Sequence, residues 1–187
     1  MTPPRNAAAT RDRLLASARQ CFLQDSYESV SLREIAGGAR VDVALIGRYF
    51  GSKEELFRAV LRKDDADWLE LERAADDLPA YLAAMSMSDD SKDAEHIEHL
   101  LIMLRSAASP TAAAIVRSAF AKNVLEPFAR VVSGPHAESR AAMALSILMG
   151  TTILRTIMQL EDAYEGDRMV LRDRLASLLR AALEPAV

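Results

Sequence analysis

The side chains best suited to holding a polyanion fall in one short stretch, Ser31 to Lys53 (SLREIAGGARVDVALIGRYFGSK). Arg33, Arg48, Tyr49 and Lys53 are interleaved there with small and apolar residues. The chemistry on offer is recognition: guanidinium and ammonium groups for phosphates and base edges, and a phenol as a neutral donor. The elements that must position them are legible in the same residues. Ser31 with Glu34 three residues on is a capping box that opens a helix, and Leu32, Ile35 and Ala36 give it one apolar stripe. Gly37-Gly38-Ala39-Arg40 supplies the break. Asp42 is placed to cap a second helix reaching about Tyr49, with Val41, Leu45 or Ile46, and Phe50 turned inward. Ser52-Lys53-Glu54-Glu55 is another capping box and opens the next helix. Two short helices joined by a tight turn form the helix-turn-helix, whose second helix enters the DNA major groove.

Other groups offer weaker chemistry. His96 and His99, with Glu95 and Glu98, stand three apart on one helical segment, but two imidazoles without fixed third and fourth ligands read as a solvated face. Asp64-Asp65-Ala66-Asp67 and Asp76-Asp77 invite a magnesium reading, yet no second ligand cluster accompanies them. Gly51-Ser52-Lys53 lacks the leading glycine spacing of a phosphate-binding loop. Cys21 lies among Leu14, Leu15, Ala18 and Phe22, the setting of a buried, inert thiol. The expectation is therefore no enzyme, no metal and no cofactor.

Charge is polarised along the 187 residues. The net −4 divides into +4 over residues 1–63 (11 Lys+Arg against 7 Asp+Glu) and −8 over residues 64–187 (12 against 20). Only the first third should approach a duplex. Half the residues are apolar and 5% aromatic, with Ala and Leu abundant, which favours helices over strands. The start lacks the apolar centre of a signal peptide, no run of eighteen apolar residues occurs, and one cysteine admits no internal disulfide. A cytoplasmic protein is expected.

The remaining elements follow from periodicity and breakers. Met1 to Ala9 reads as a flexible arm and Thr10 to Gln24 as an amphipathic helix. The helix from Ser52 runs on to about Arg73 through Trp68 and Leu69. Asp76-Asp77-Leu78-Pro79 opens a helix ending near Met87, and Ser88 to Lys92 is a polar loop. A further helix spans about Asp93 to Ala107, and Ser109-Pro110 opens another that Pro127 should kink. After Ser133-Gly134-Pro135, His136 to about Leu160 and Gly166 to about Leu183 read as long helices apolar on more than one side, with His136 at the first one's start. Helices apolar on several sides need a second cover, here a partner subunit.

With these elements in order, residues 10–63 resemble the TetR-type one-component transcriptional regulators of bacteria. The residues that carry the likeness are Arg13 to Phe22, Ser31 to Ala36, and Arg48-Tyr49-Phe50-Gly51-Ser52-Lys53-Glu54-Glu55-Leu56. Beyond residue 64 the resemblance rests on helix count and an Ala/Leu-rich C-terminal pair. It implies an all-α fold of about nine helices: a helix-turn-helix domain over 1–51, a linking helix over 52–73, and a ligand-binding and dimerisation domain over 52–187. It also implies that Tyr49 and Lys53 contact phosphates. Ser31, at a helix N-terminus whose amides face a phosphate, and Arg33 join them. Base reading falls to Val43, Ala44, Gly47 and Arg48, with Arg48 the residue able to make a bidentate contact to guanine.

Two positions depart from the family pattern. Arg40 stands where a glycine with left-handed backbone is usual, and Gly47 where a tyrosine is common. The operator sequence is therefore not transferable from relatives. The dimer seam is expected from Ala141, Leu145, Leu148, Thr152, Leu171, Leu175 and Leu178. A small-molecule pocket is implied in the acidic body, lined by Trp68, Met103, Phe120, Met149 and Ile153. The function implied is a homodimeric DNA-binding repressor released by a small ligand. The alternative is a helical small-molecule or metal-sensing protein whose head no longer holds DNA, for which Gly47 and Arg40 argue.

Overall fold

The computed structural model describes residues 5–62, 77–88, 91–160 and 167–185, and every regular element among them is helical. These are α1 (Arg5–Gln24), α2 (Leu32–Gly38), α3 (Ala44–Phe50), α4 (Lys53–Val60), α5 (Leu78–Ser86), α6 (Ser91–Ala107), α7 (Ala113–Phe120), α8 (Glu126–Val132), α9 (Ala137–Thr152) and α10 (Arg168–Leu183). A π-helical turn, Ala121–Leu125, joins α7 to α8 in one run, and a second, Ile153–Ile157, extends α9. The chain forms two compact units: Met1–Arg62 with Glu98–Phe120, and Lys63–Ile97 with Ala121–Val187. By packing, then, α4 and the segment from Glu98 to Phe120 belong with the helix-turn-helix.

The first unit is organised around α1, which buries Leu14, Ala18 and Phe22 completely. Phe22 meets Phe57 of α4 edge-on, with ring centroids 4.8 Å apart, and Tyr27 lies 5.1 Å from Phe57. Ile35, Ile46, Leu56 and Leu61 complete the core with Ile102, Met103 and Ile115. Close approach of α1 to α2 depends on Gly38: a Cβ there would stand 2.4 Å from Ser17 Oγ, which donates to the Ile35 carbonyl at 2.8 Å. The first helix starts at Arg5, five residues before the expected start, so the arm is shorter than expected. Asn6-Ala7-Ala8-Ala9 follows Pro3-Pro4, and alanine is the strongest helix former, so the helix propagates back towards the prolines.

The second unit packs α5 and α9 against α10, and α8 against α9, around Leu82, Ala83, Phe128, Ala141, Ala144 and Leu179. Asp77 caps α5 by accepting from Ala80 N at 3.3 Å, and Pro79 sits in the first turn, as expected. Ser109 accepts from Ala112 N at 2.9 Å and so opens the turn that leads into α7. The expected loop at Ser88 to Lys92 is shortened, because α6 begins at Ser91.

The kink assigned to Pro127 takes the form of the π turn at Ala121–Leu125, after which α8 restarts with the proline in its first turn. Pro127 has no N–H to give, and its ring crowds the carbonyl four residues back, so the ladder slips to a wider register. The same widening ends α9 at Thr152, after Gly150 and the β-branched pair Thr151 and Thr152, short of Leu160. His136 occupies the N-cap of α9 with a left-handed φ of 53°, but its side chain makes no cap bond. Arg140, only 7% exposed, ties this corner together instead: its guanidinium donates to the carbonyls of Ser133, Pro135 (2.9 Å) and Leu183. Residues 63–76, with Trp68 and the Asp64 to Asp67 run, lie outside the described residues.

Candidate nucleic-acid interface

The helix-turn-helix is built on satisfied backbone bonds. Glu34 N donates to Ser31 Oγ at 3.2 Å and Ser31 N donates to Glu34 Oε2 at 2.7 Å, so both arms of the capping box are made. The bond from Ser31 N, with the Ser31 side chain second, holds the Glu34 carboxyl below the usual carboxylate range. At the other end of α2, Val41 N bonds the Ala36 carbonyl at 3.0 Å and Arg40 N bonds that of Gly37 at 3.0 Å. This reversal leaves Arg40 with φ 54°, the left-handed conformation that glycine adopts without penalty. Asp42 caps α3 from one residue further out than expected: its Oδ1 accepts from Ala44 N at 2.7 Å, and Val43 takes the N-cap position without a side-chain bond. The carboxylate is thereby folded onto its own backbone.

Along α3 the helical period separates two faces. Ile46 is fully buried, and Leu45, Tyr49 and Phe50 lie half-buried against the same core. Val43, Ala44, Gly47 and Arg48 are exposed together on the other side, Val43 to 40%. A Cβ added at Gly47 would meet nothing within 4 Å, so that position faces open space. Gly51 ends the helix with φ 85°, its N–H bonded to the Gly47 carbonyl at 3.0 Å. Arg33 is exposed on α2.

Lys53 is held more tightly than its sequence position suggests. Its Nζ donates to the Tyr27 carbonyl at 2.6 Å and lies 4.3 Å from the centre of the Tyr27 ring. Burial lowers its pKa, and the nearby carboxylates of Glu28, Glu54 and Glu34 oppose that shift. Tyr27 OH in turn bonds Glu54, and burial together with that carboxylate pushes the phenol up to about 12. The second capping box is only half made: Ser52 Oγ accepts from Glu55 N at 3.2 Å, while the Glu55 carboxylate pairs with Arg58 at 3.3 Å. Sequence reasoning passed over Tyr27 because it sits in a polar turn with no periodicity to flag it. It also passed over Arg11, whose guanidinium lies 5.0 Å above the Phe50 ring and ties α1 to the end of α3.

The expected pocket residues divide between the two units. Met103 is buried and Phe120 half-buried in the core of the first unit, whereas Met149 and Ile153 are half-buried in the second. The dimer residues also divide. Ala141 and Leu175 are buried in the core of their own chain. Leu145, Leu148 and Leu171 pack partly against that core, Thr152 is half-buried, and Leu178 is 58% exposed. Met143 is 60% exposed on the neighbouring helix. Among the described residues one helical run, Ala137–Ile157, is long and apolar enough to cross a membrane by length and composition, and most of its residues are only partly buried. Glu98, which stands beside His96 and His99 in sequence, pairs with Arg19 Nε at 3.1 Å.

A capped helix, a left-handed turn, and a second helix with one face free define a helix-turn-helix DNA-binding protein. The sequence model for bacterial regulatory proteins of the tetR family matches residues 14–60, and that for the tetracyclin repressor-like C-terminal domain matches residues 69–183. The chain belongs to the TetR family of transcriptional regulators. Curated relatives include the HTH-type transcriptional repressor AcnR of Corynebacterium efficiens, 34% identical over 61 residues, and its namesake in Corynebacterium glutamicum, 34% identical over 62. Those matches span about a third of this chain (33%) and about a third of each relative (32% and 33%). Among solved structures, GusR of Salmonella enterica superposes with a TM-score of 0.70 at 18% identity, covering 98% of both chains. A TetR-family regulator of Streptomyces coelicolor A3 gives 0.51 at 24% identity, covering 98% of this chain and 99% of the other. At these identities the likeness is one of fold.

Proposed function

We propose that the protein is a cytoplasmic homodimeric repressor that binds a palindromic operator through α2 and α3 and leaves it when a small molecule binds the body. The observation that carries this reading is the free face of α3. Val43, Ala44, Gly47 and Arg48 are exposed side by side on a helix whose opposite side is anchored by Ile46. Ser31, Arg33, Tyr49 and Lys53 take the phosphate contacts, which fix register without reading sequence. Arg48 reads guanine; Val43 and Ala44 touch thymine methyls. One head buries too little surface to select a site, so two heads on a two-fold axis read half-sites about 34–36 Å apart or a multiple of that. The exposed apolar side of Ala137–Ile157, with Leu178, supplies surface for the partner.

The ligand site belongs to the second unit, with Met149 and Ile153 as lining and Trp68 retained from the sequence; Met103 and Phe120 are committed to packing the first unit. Release requires the ligand to favour one head separation over another, a coupling of about 1–3 kcal/mol. We assign the protein no catalytic step.

Selection of random duplexes by the purified protein tests the proposal. The expected product is a palindrome bound with a steep salt dependence. Arg48→Ala should then lose about 1–3 kcal/mol of discrimination at one base pair per half-site while leaving affinity for random DNA unchanged. No preference for any duplex over heparin in low salt would favour the sensor without DNA binding.

A further inference from the structure

Tyr27 and Glu28, in the turn between α1 and α2, are bonded both to α4 and to the corner between α6 and α7. Towards α4, the Tyr27 carbonyl and ring hold the Lys53 ammonium. Towards the corner, Tyr27 N donates to Ser106 Oγ at 3.3 Å and Ser109 Oγ donates to Glu28 Oε1 at 2.5 Å. Ser106 is 0% and Ser109 7% exposed. Burying hydroxyls is costly unless they are bonded, and both of these are. The Ser109 hydroxyl both donates, to Glu28, and accepts, from Ala112 N, so its orientation is set. All of these residues belong to the first unit.

The consequence falls on Lys53. A lysine on a free four-carbon stem samples many rotamers and must give them up to meet a phosphate, whereas one already held in place gives up less. The Tyr27 carbonyl takes one of the three ammonium donors and fixes where the others point. The same turn places Glu28 near the ammonium, and the bond from Ser109, the largest influence on that carboxyl, holds it below its ordinary pKa.

We propose that Ser106 and Ser109 are positioning residues for the Lys53 phosphate contact, acting through the Tyr27–Glu28 turn. The α6–α7 corner thereby sets how firmly each head holds the duplex backbone, although neither serine touches DNA. This rests on the reading of Lys53 as a phosphate contact.

The test uses the full chain on a duplex selected by the unsubstituted protein, with affinity followed between about 50 and 200 mM salt, where lost phosphate contacts show as a flatter log–log slope of about 0.9 per contact. Ser106→Ala and Ser109→Ala alter no charge, so a slope change reports contacts. Each should flatten the slope towards that of Lys53→Met, which loses one contact per head and so about 1.8 per dimer. Adding Ser109→Ala to Lys53→Met should flatten it no further, and Ser109→Thr, which keeps the hydroxyl, should restore it. Serine variants that lower Tm yet keep the original slope would overturn the proposal, as would additive flattening in the double variant. Should Ser109→Ala not fold, Ser106→Ala, which leaves the α7 cap intact, decides. If Lys53→Met itself keeps the slope, the phosphate reading has failed and this proposal with it. If the unsubstituted protein shows no salt-dependent duplex binding, the broader function has failed.

Discussion

Arg40→Gly should stabilise the protein, which is unusual for a substitution that removes a large side chain. Arg40 sits at φ 54°, held there by its own N–H bond to Gly37 and by the bond from Val41 to Ala36. With those bonds in place the residue has no route to a relaxed conformation that keeps the turn. A Cβ in this region costs about 1–2 kcal/mol. Glycine removes that cost but adds freedom to the unfolded chain, a loss of about 0.4–1 kcal/mol. The net expectation is a gain of about 0.5–1 kcal/mol, and for a chain of this size a rise in Tm of about 1–4 °C. Arg40 is exposed. Thermal and urea unfolding of Arg40→Gly, Arg40→Asn and Arg40→Ala measure the effect. Glycine should gain most, asparagine less because it tolerates the left-handed region, and alanine nothing, since it keeps the Cβ. If alanine gains as much as glycine, the side chain and not the backbone is responsible, and the strain account is wrong.

Two further outcomes follow from the geometry. The Glu34 carboxyl is held below its ordinary 4.5 by Ser31, so its contribution to stability is present above that value and is lost as pH falls through the lower folded one. Melting curves over a pH series should therefore show a shallower acid decline below about 4.5 in Glu34→Gln than in the parent; superimposable declines would sink this. Met143→Asp and Leu178→Asp alter side chains about 60% and 58% exposed in one chain, so each should leave the protomer folded while driving the dimer to monomers by light scattering. Ala141→Asp, at a fully buried position, should unfold the protein instead.

The DNA-binding head was legible because its signals are local. Ser31 and Glu34 stand at capping-box spacing, the glycine-rich break falls between two short apolar stripes, and charge separates at residue 63; each works within a few residues and survives whatever the rest of the chain does. The left-handed position of Arg40 and the exposed face around Gly47 came out as the family resemblance implied. Helix ends set by cooperative propagation were less visible. The back-extension of α1 to Arg5 and the two π turns depend on how a whole ladder of hydrogen bonds settles around alanines, Pro127 or Gly150.

Packing between distant segments was decided only by tertiary structure. Leu175 and Leu178 share an apolar pattern on α10, yet one is enclosed and the other open, because helical period defines a stripe but not which side of it another helix covers. Tyr27 carries no motif at all; its role arises when Lys53, 26 residues on, and Ser106, 79 residues on, meet its backbone. Local sequence thus determined which helices form and where their caps lie. Which side chains those helices bury, and which charges they hold, waited on three-dimensional closure, because burial and hydrogen bonding depend on neighbours that the chain brings from far away.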